Sequence, residues 1–242
     1  MTAYYNEIDP YAAQWLRNLI VAGHIADGDV DERSIVDVHP DDLKGYTQCH
    51  FFAGIGGWSY AARLAGWDDS RELWTGSCPC QPFSSAGKQG GFRDQRHLWP
   101  EFRRLIKRRK PAVVFGEQVA NATDWIVAVR GDLEDMGYAV GAVPIKALCV
   151  GAKHARPRWW LVADAKWNEQ SRAEPRSGAV GRVGRVIEPF PWDEPWESAL
   201  SRFRAMGDGL PRSVGATDAA RNAIVPQVAA QLIGAYLEAE GR

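Results

Sequence analysis

The chain has only four cysteines in 242 residues, Cys49, Cys78, Cys80 and Cys149, and that scarcity argues against a disulfide framework. No opening segment reads as a signal peptide and no apolar run is long enough to span a bilayer, so a reducing, cytoplasmic interior is expected. Cys78-Pro79-Cys80 lacks the second Cys or His pair that would complete four zinc ligands, and no metal is expected. There is no internal repeat. Nor is there an excess of one charge, the net value being −1. What remains is a chain with 45% hydrophobic residues, enough to bury the core of one α/β domain with a small appendage.

The small net charge hides an asymmetry. Residues 1–50 hold nine acids against three Lys and Arg, whereas residues 81–110 hold nine Lys and Arg against two acids. Such a basic stretch attracts polyanions or forms the solvated face of an amphipathic helix. Short apolar runs alternate with helical patterns through residue 163, which predicts a mostly parallel sheet with helices on both faces. Strands are expected at 3–6, 48–52, 72–76, 112–116, 139–144 and 159–163, and helices at 10–22, 58–65, 98–109, 122–136 and 226–240. In the last helix Val228, Leu232, Ile233 and Tyr236 form the inward stripe. Between 165 and 191 the composition turns to Arg, Gly, Glu and Ser and reads as loop.

Two segments carry chemistry. Gly76-Ser-Cys-Pro-Cys-Gln-Pro-Phe-Ser-Ser-Ala-Gly87 follows a strand, and Pro79 and Pro82 stop regular pairing, so Cys80 is expected on a rigid turn at the carboxyl edge of the sheet, where open α/β sheets bind ligands. The Gly- and Ser-rich stretch after it has the composition of a lid, and a thiol beside a lid suggests a nucleophile. A lone cysteine is otherwise most often buried and inert. Phe52-Ala-Gly-Ile-Gly-Gly57 joins a strand to a helix, the arrangement by which glycines let a backbone approach a cofactor. By itself it fits a dinucleotide as well as S-adenosylmethionine.

Four further segments accompany Cys80: Phe115-Gly-Glu117-Gln-Val119, Ala155-Arg156-Pro-Arg158, Asp94-Gln-Arg96-His-Leu98 and Arg221-Asn222-Ala-Ile-Val-Pro226. In this order and spacing the chain resembles the cytosine-C5 DNA methyltransferases, nearly throughout except for about residues 165–199. The resemblance implies a Rossmann-like S-adenosylmethionine-dependent methyltransferase fold and methylation of double-stranded DNA of the restriction-modification kind. The protein would be bacterial or phage-encoded. It implies Cys80 as nucleophile toward C6 of a flipped cytosine, Glu117 on the N3/N4 edge, and Arg156 and Arg158 as a basic pair, Arg156 contacting the base O2. S-adenosylmethionine would be held by Phe52, Ala53, Gly54, Ile55, Gly56, Gly57, Pro79, Asn222 and Ala223. DNA would be met by Gln81, Ser84, Ser85, Lys88, Arg96, Arg172 and Arg176.

One half of the cofactor site is out of place. In the family the glycine loop is followed by a strand ending in a ribose-binding acid and by a Gly-Asp that meets the adenine amine. Here too few residues separate the loop from Gly76. Instead Asn6-Glu7-Ile8-Asp9 and Gly28-Asp29-Val30 stand at the N-terminus, so a permuted strand order is expected, with Glu7 and Ile8 at the ribose and Asp29 and Val30 at the adenine; Asp31 is the alternative acid. If the helix at 58–65 kept its place while leading straight to the strand at 72–76, that crossover would be left-handed, which is rare; otherwise the helix has changed face.

The expected organisation is a permuted catalytic domain over 1–164, a reduced target-recognition region over 165–206 and a closing segment over 207–242. His50, Gln118, His154 and Arg221 stand where the family has Asp, Asn, Gln and Gly. The recognition region is short, which leaves open a catalytically silent S-adenosylmethionine- or DNA-binding protein, or an RNA cytosine methyltransferase.

Overall fold

A computed structural model describes residues 3–79, 98–166 and 223–241, and they form a seven-stranded sheet flanked by helices. In chain order the elements are β1 (Ala3–Asn6), α1 (Pro10–Val21), β2 (Gly28–Asp31), β3 (Gln48–Phe51), α2 (Gly57–Leu64), β4 (Leu73–Gly76), α3 (Trp99–Arg109), β5 (Val113–Val119), α4 (Thr123–Asp135), β6 (Ala139–Lys146), β7 (Pro157–Asp164) and α5 (Pro226–Glu240). The strands lie in the order β2-β1-β3-β4-β5-β7-β6. The first five are parallel, and β7 runs antiparallel to both neighbours.

Side chains alternate across this sheet and divide the core in two. Tyr4, Cys49, Trp74 and Val114 share one level of the register and pack with Phe102, Leu105 and Ile106 of α3 and with Trp125 and Val129 of α4. On the other face Ala3 and Tyr5 meet Trp15, Leu16 and Leu19 of α1, while Leu73, Val113 and Phe115 meet Trp58 and Ala61 of α2 and Val228, Ile233 and Tyr236 of α5. Leu232 of α5 is only partly buried, and Ala229 and Ala230 take up the inner stripe beside Val228.

Strand β2 departs from the sequence expectation, which placed no strand there. A glycine and two aspartates disfavour a strand, yet pairing with β1 extends Gly28–Asp31. Gly28 is required there, because a Cβ would come within 1.9 Å of the Ala3 carbonyl oxygen. Strand β5 also runs further than expected, to Val119, because β7 pairs with it along seven residues. Glu117 and Arg158 consequently stand inside strands as diagonal neighbours, Glu117 opposite Trp160 and Arg158 opposite Val119.

The crossover from β3 through α2 to β4 has the hand opposite to its neighbours. Connections β1-α1-β2 and β3-α2-β4 put their helices on one face but step across the sheet in opposite directions. Connection β4-α3-β5 steps the same way as β3-α2-β4 with its helix on the other face. Parallel crossovers are almost always right-handed, and the two that agree leave β3-α2-β4 as the left-handed one. Helix α2 therefore stays on the same face as α1, tied to β1 through the bond of 3.0 Å between Tyr5 Oη and Ser59 Oγ.

Candidate active site

The carboxyl ends of β1, β3, β4 and β5 converge, and the segments there bring Glu7, the glycine loop, Ala223, Arg156, Arg158 and Glu117 to one edge of the sheet. After β3 the chain turns sharply, with positive φ at Phe52, Gly54 and Gly56. The Ala53 amide donates to the Asn6 carbonyl at 3.1 Å, so the glycine loop rests on the end of β1. Glu7 completes the junction. Its Oε2 accepts the Gly54 amide at 2.7 Å and its Oε1 the Asp9 amide at 2.9 Å. Burial raises the Glu7 pKa against these two bonds. Ile8, next to it, leaves 63% of its surface exposed at this edge, although it is strongly apolar.

The two candidate acids of β2 differ in place. Asp31 ends the strand level with Asn6 and is held by Tyr4 Oη at 2.7 Å and by the Arg33 guanidinium, and these bonds lower its pKa although burial works against them. Asp29 lies two residues further in, level with Tyr4, and accepts from Tyr46 Oη at 2.7 Å. Val30 turns to the opposite side and packs on the α1 cluster.

Segment Ala223–Val225 lies against the other flank of the glycine loop. A Cβ on Gly57 would stand 2.8 Å from Ile224 Cγ1. From there a chain of contacts leads to the carboxylate: Arg156 Nη2 donates to the Ala223 carbonyl at 2.7 Å, and Arg158 Nε sits 2.8 Å from Glu117 Oε1. Burial pushes the Glu117 pKa up to about 7, although Arg158 and Arg156 both pull it down. Near neutrality this carboxyl group is poised to hold or release a proton. Arg158, rather than Arg156, touches Glu117, and Arg156, with φ +32°, bridges to the segment before α5.

Three residues that sequence reasoning gave no role act around β4. Gln118 Nε2 donates to the Cys78 carbonyl at 3.4 Å, and Trp58 Nε1 donates to Ser77 Oγ at 3.0 Å. Both hold the segment Ser77–Pro79 that follows β4. His50 does not take the glycine-loop amide that Glu7 accepts. It bonds Thr75 Oγ1 at 2.8 Å and Gln48 Oε1 at 3.2 Å, stacks on Tyr5, and is held neutral because burial pushes its pKa down to about 3. The signals for these were slight, a Trp after the glycines and two departures from the family's residues.

Cys80, Gln81, Ser84, Ser85, Lys88, Arg96, Arg172, Arg176, Arg221 and Asn222 lie outside the described residues, as does nearly all of the expected recognition region. Among the described residues no group of three or more His, Cys, Asp or Glu could hold a metal ion, and no helix is long and apolar enough to cross a membrane.

A mostly parallel sheet with a glycine loop at its carboxyl edge and a buried acid–arginine pair beside it is a Rossmann-like α/β architecture. The chain matches, over residues 67–179, the family model of the C-5 cytosine-specific DNA methylases. It is 29% identical over 143 residues to the type II methyltransferase M.NgoMIV of Neisseria gonorrhoeae, covering 54% of this chain and 44% of that protein. Identity with M.MspI of Moraxella is 36% over 118 residues, 46% of this chain and 28% of the relative. Over 222 residues it is 25% identical to M.NlaX of Neisseria lactamica, 86% of this chain and 61% of the relative. The chain thus spans less than two thirds of the length of these relatives. Among solved structures, the Entamoeba histolytica methyltransferase EhMeth aligns with a TM-score of 0.46 at 14% identity, over 68% of this chain and 45% of that one.

Proposed function

We propose that the chain methylates C5 of cytosine in DNA, with S-adenosylmethionine as methyl donor and Cys80 as nucleophile. The observation that carries the proposal is Glu117, buried against Arg158 beside the segment that leads to Cys80, with a pKa near 7. Cytosine C5 is a poor nucleophile. Addition of a thiolate to C6 forms the S–C6 bond, the C5–C6 π pair becomes a C4–C5 double bond and the C4–N3 π pair moves onto N3, making C5 enamine-like. Negative charge then develops at N3, and a protonated Glu117 supplies the proton that neutralises it. Arg158 fixes the carboxyl group for that transfer, and Arg156 ties the same side of the site to Ala223. The target base leaves the duplex to reach this position, at a cost of a few kcal/mol.

The residues present fit the donor. Glu7, desolvated and bonded to the Gly54 amide, stands where a ribose hydroxyl would be accepted, Ile8 offers an exposed apolar surface, and Asp29 or Asp31 would accept the adenine amine. When bound, S-adenosylmethionine supplies an electrophilic methyl group. Its site would draw on both the N-terminal strands and the glycine loop, which β1 and β3 join by direct pairing.

The decisive test is sequencing of 5-methylcytosine in DNA from cells expressing the protein, wild type against Cys80→Ser. The wild type should deposit the mark and the variant should not. Full activity in Cys80→Ser would overturn the mechanism. The purified protein offered DNA and RNA together should mark the DNA; a mark confined to RNA would overturn the substrate. Binding of S-adenosylmethionine without trapping on 5-fluorocytosine DNA would instead indicate a silent binding protein.

A further inference from the structure

The segment before Cys80 is held at two points, one from each side of the sheet. From β5, Gln118 bonds the Cys78 carbonyl; from α2, the Trp58 indole bonds Ser77 Oγ. Trp58 directly follows Gly56-Gly57 in the first turn of α2 and is buried. Its ring packs edge-on against Trp160, with centroids 5.6 Å apart, and at a tilt on Phe115.

Trp160 provides an internal contrast. It is as buried as Trp58 and belongs to the same cluster, yet among the described residues its Nε1 has no hydrogen-bond partner. The cluster therefore accepts an indole for its volume alone. Trp58 differs in directing its N–H at the segment before the nucleophile, a bond that no other aromatic side chain of similar size could make through a ring N–H.

We infer that Trp58 is a positioning residue for the nucleophile, fixing Ser77, in the segment Ser77–Pro79 that precedes Cys80 in the chain, to the helix that opens from the glycine loop. This rests on Cys80 being the nucleophile. The consequence is that the cofactor loop and the segment before the nucleophile are mechanically joined by one hydrogen bond across the short, left-handed β3-α2-β4 unit.

The test is a double-mutant cycle with Trp58→Phe, Ser77→Ala and the pair, read as the rate of covalent trapping on plasmid-length DNA in which 5-fluorocytosine replaces cytosine, with S-adenosylmethionine present. Each single variant should trap about three- to tenfold more slowly, the range of one hydrogen bond. The pair should be no more than about twofold slower than the worse single variant, and S-adenosylmethionine affinity should change by less than about twofold. Trp160→Phe should lower the melting temperature without slowing trapping. Wild-type trapping rates in both single variants, or losses that multiply in the pair, would overturn the inference. If the wild type itself fails to trap, the proposed function falls, and the link is then read from iodoacetamide alkylation of Cys80 against pH by peptide mapping. A profile unchanged by Trp58→Phe and Ser77→Ala would overturn it, and a profile moved equally by both would support it.

Discussion

Replacing Glu117 by Gln removes a carboxyl group whose pKa the fold moves to neutrality. In the folded chain that pKa is about 7 against an ordinary value of 4.5, with burial as the cause. The unfolded chain therefore releases this proton first as pH rises, and between 4.5 and 7 the folded state binds more protons than the unfolded one. Stability must fall with pH across that window. At 1.36 kcal/mol for each unit, the full difference is about 3 kcal/mol, complete above pH 7. A Glu117→Gln variant carries no such dependence. The stability of the wild type relative to the variant, followed by urea unfolding from pH 4 to 9, should decline by about 3 kcal/mol and then level off. Other titrating groups cancel in the difference. Activity should follow the same group: about nine in ten Glu117 side chains are protonated at pH 6 and about one in ten at pH 8. Glu117→Gln should lower kcat by roughly a hundredfold and lose that limb of the profile. A stability difference that is flat with pH, or a variant with the wild-type pH–rate profile, would refute both the raised pKa and the proton-donor role.

Other substitutions separate packing from chemistry. Gly57→Ala drives a Cβ into Ile224; it should cost about 1–3 kcal/mol by overpacking and weaken S-adenosylmethionine binding, measured by unfolding and by calorimetry, and wild-type values in both would deny the contact. Asp29→Asn should weaken S-adenosylmethionine by about tenfold if Asp29 takes the adenine amine, one charge-assisted hydrogen bond's worth. Asp31→Asn should chiefly destabilise the fold through Arg33, and the opposite pattern would transfer the role to Asp31. The buried His50 binds its proton less readily when folded, so its contribution is present above 6.5 and lost as pH falls from there toward 3. The wild type should thus lose stability relative to His50→Gln on acidification, and parallel curves would show that folding leaves the His50 pKa where it is in the unfolded chain.

Local patterning was sufficient for most of the sheet. The apolar runs of β1, β3, β4 and β7 are short and bounded by turn formers, and five helices announce themselves by a single buried stripe, so their positions are set by burial that any compact fold must satisfy. The glycine loop, Glu117, Arg156 and Arg158 were marked in the sequence by their resemblance to a family's motifs, and their roles stand as the proposal above. Strand β2 was not, since Gly28, Asp29 and Asp31 form a strand only when β1 lies alongside to pair with them.

The order of motifs along the chain already implied that Glu7 must return to the glycine loop. Only the tertiary structure decided how: β1 pairs with β3 on the side away from β4, so the Glu7 carboxylate reaches the Gly54 amide, and α2 keeps its face at the cost of a left-handed crossover. The partners of each side chain were likewise decided in three dimensions. Sequence named two arginines, and the antiparallel β5–β7 ladder determined that Arg158 meets Glu117 while Arg156 turns to Ala223. Residue types fix which reactions are possible; register and burial fix which groups meet and at what pKa, because both depend on neighbours far away in the chain.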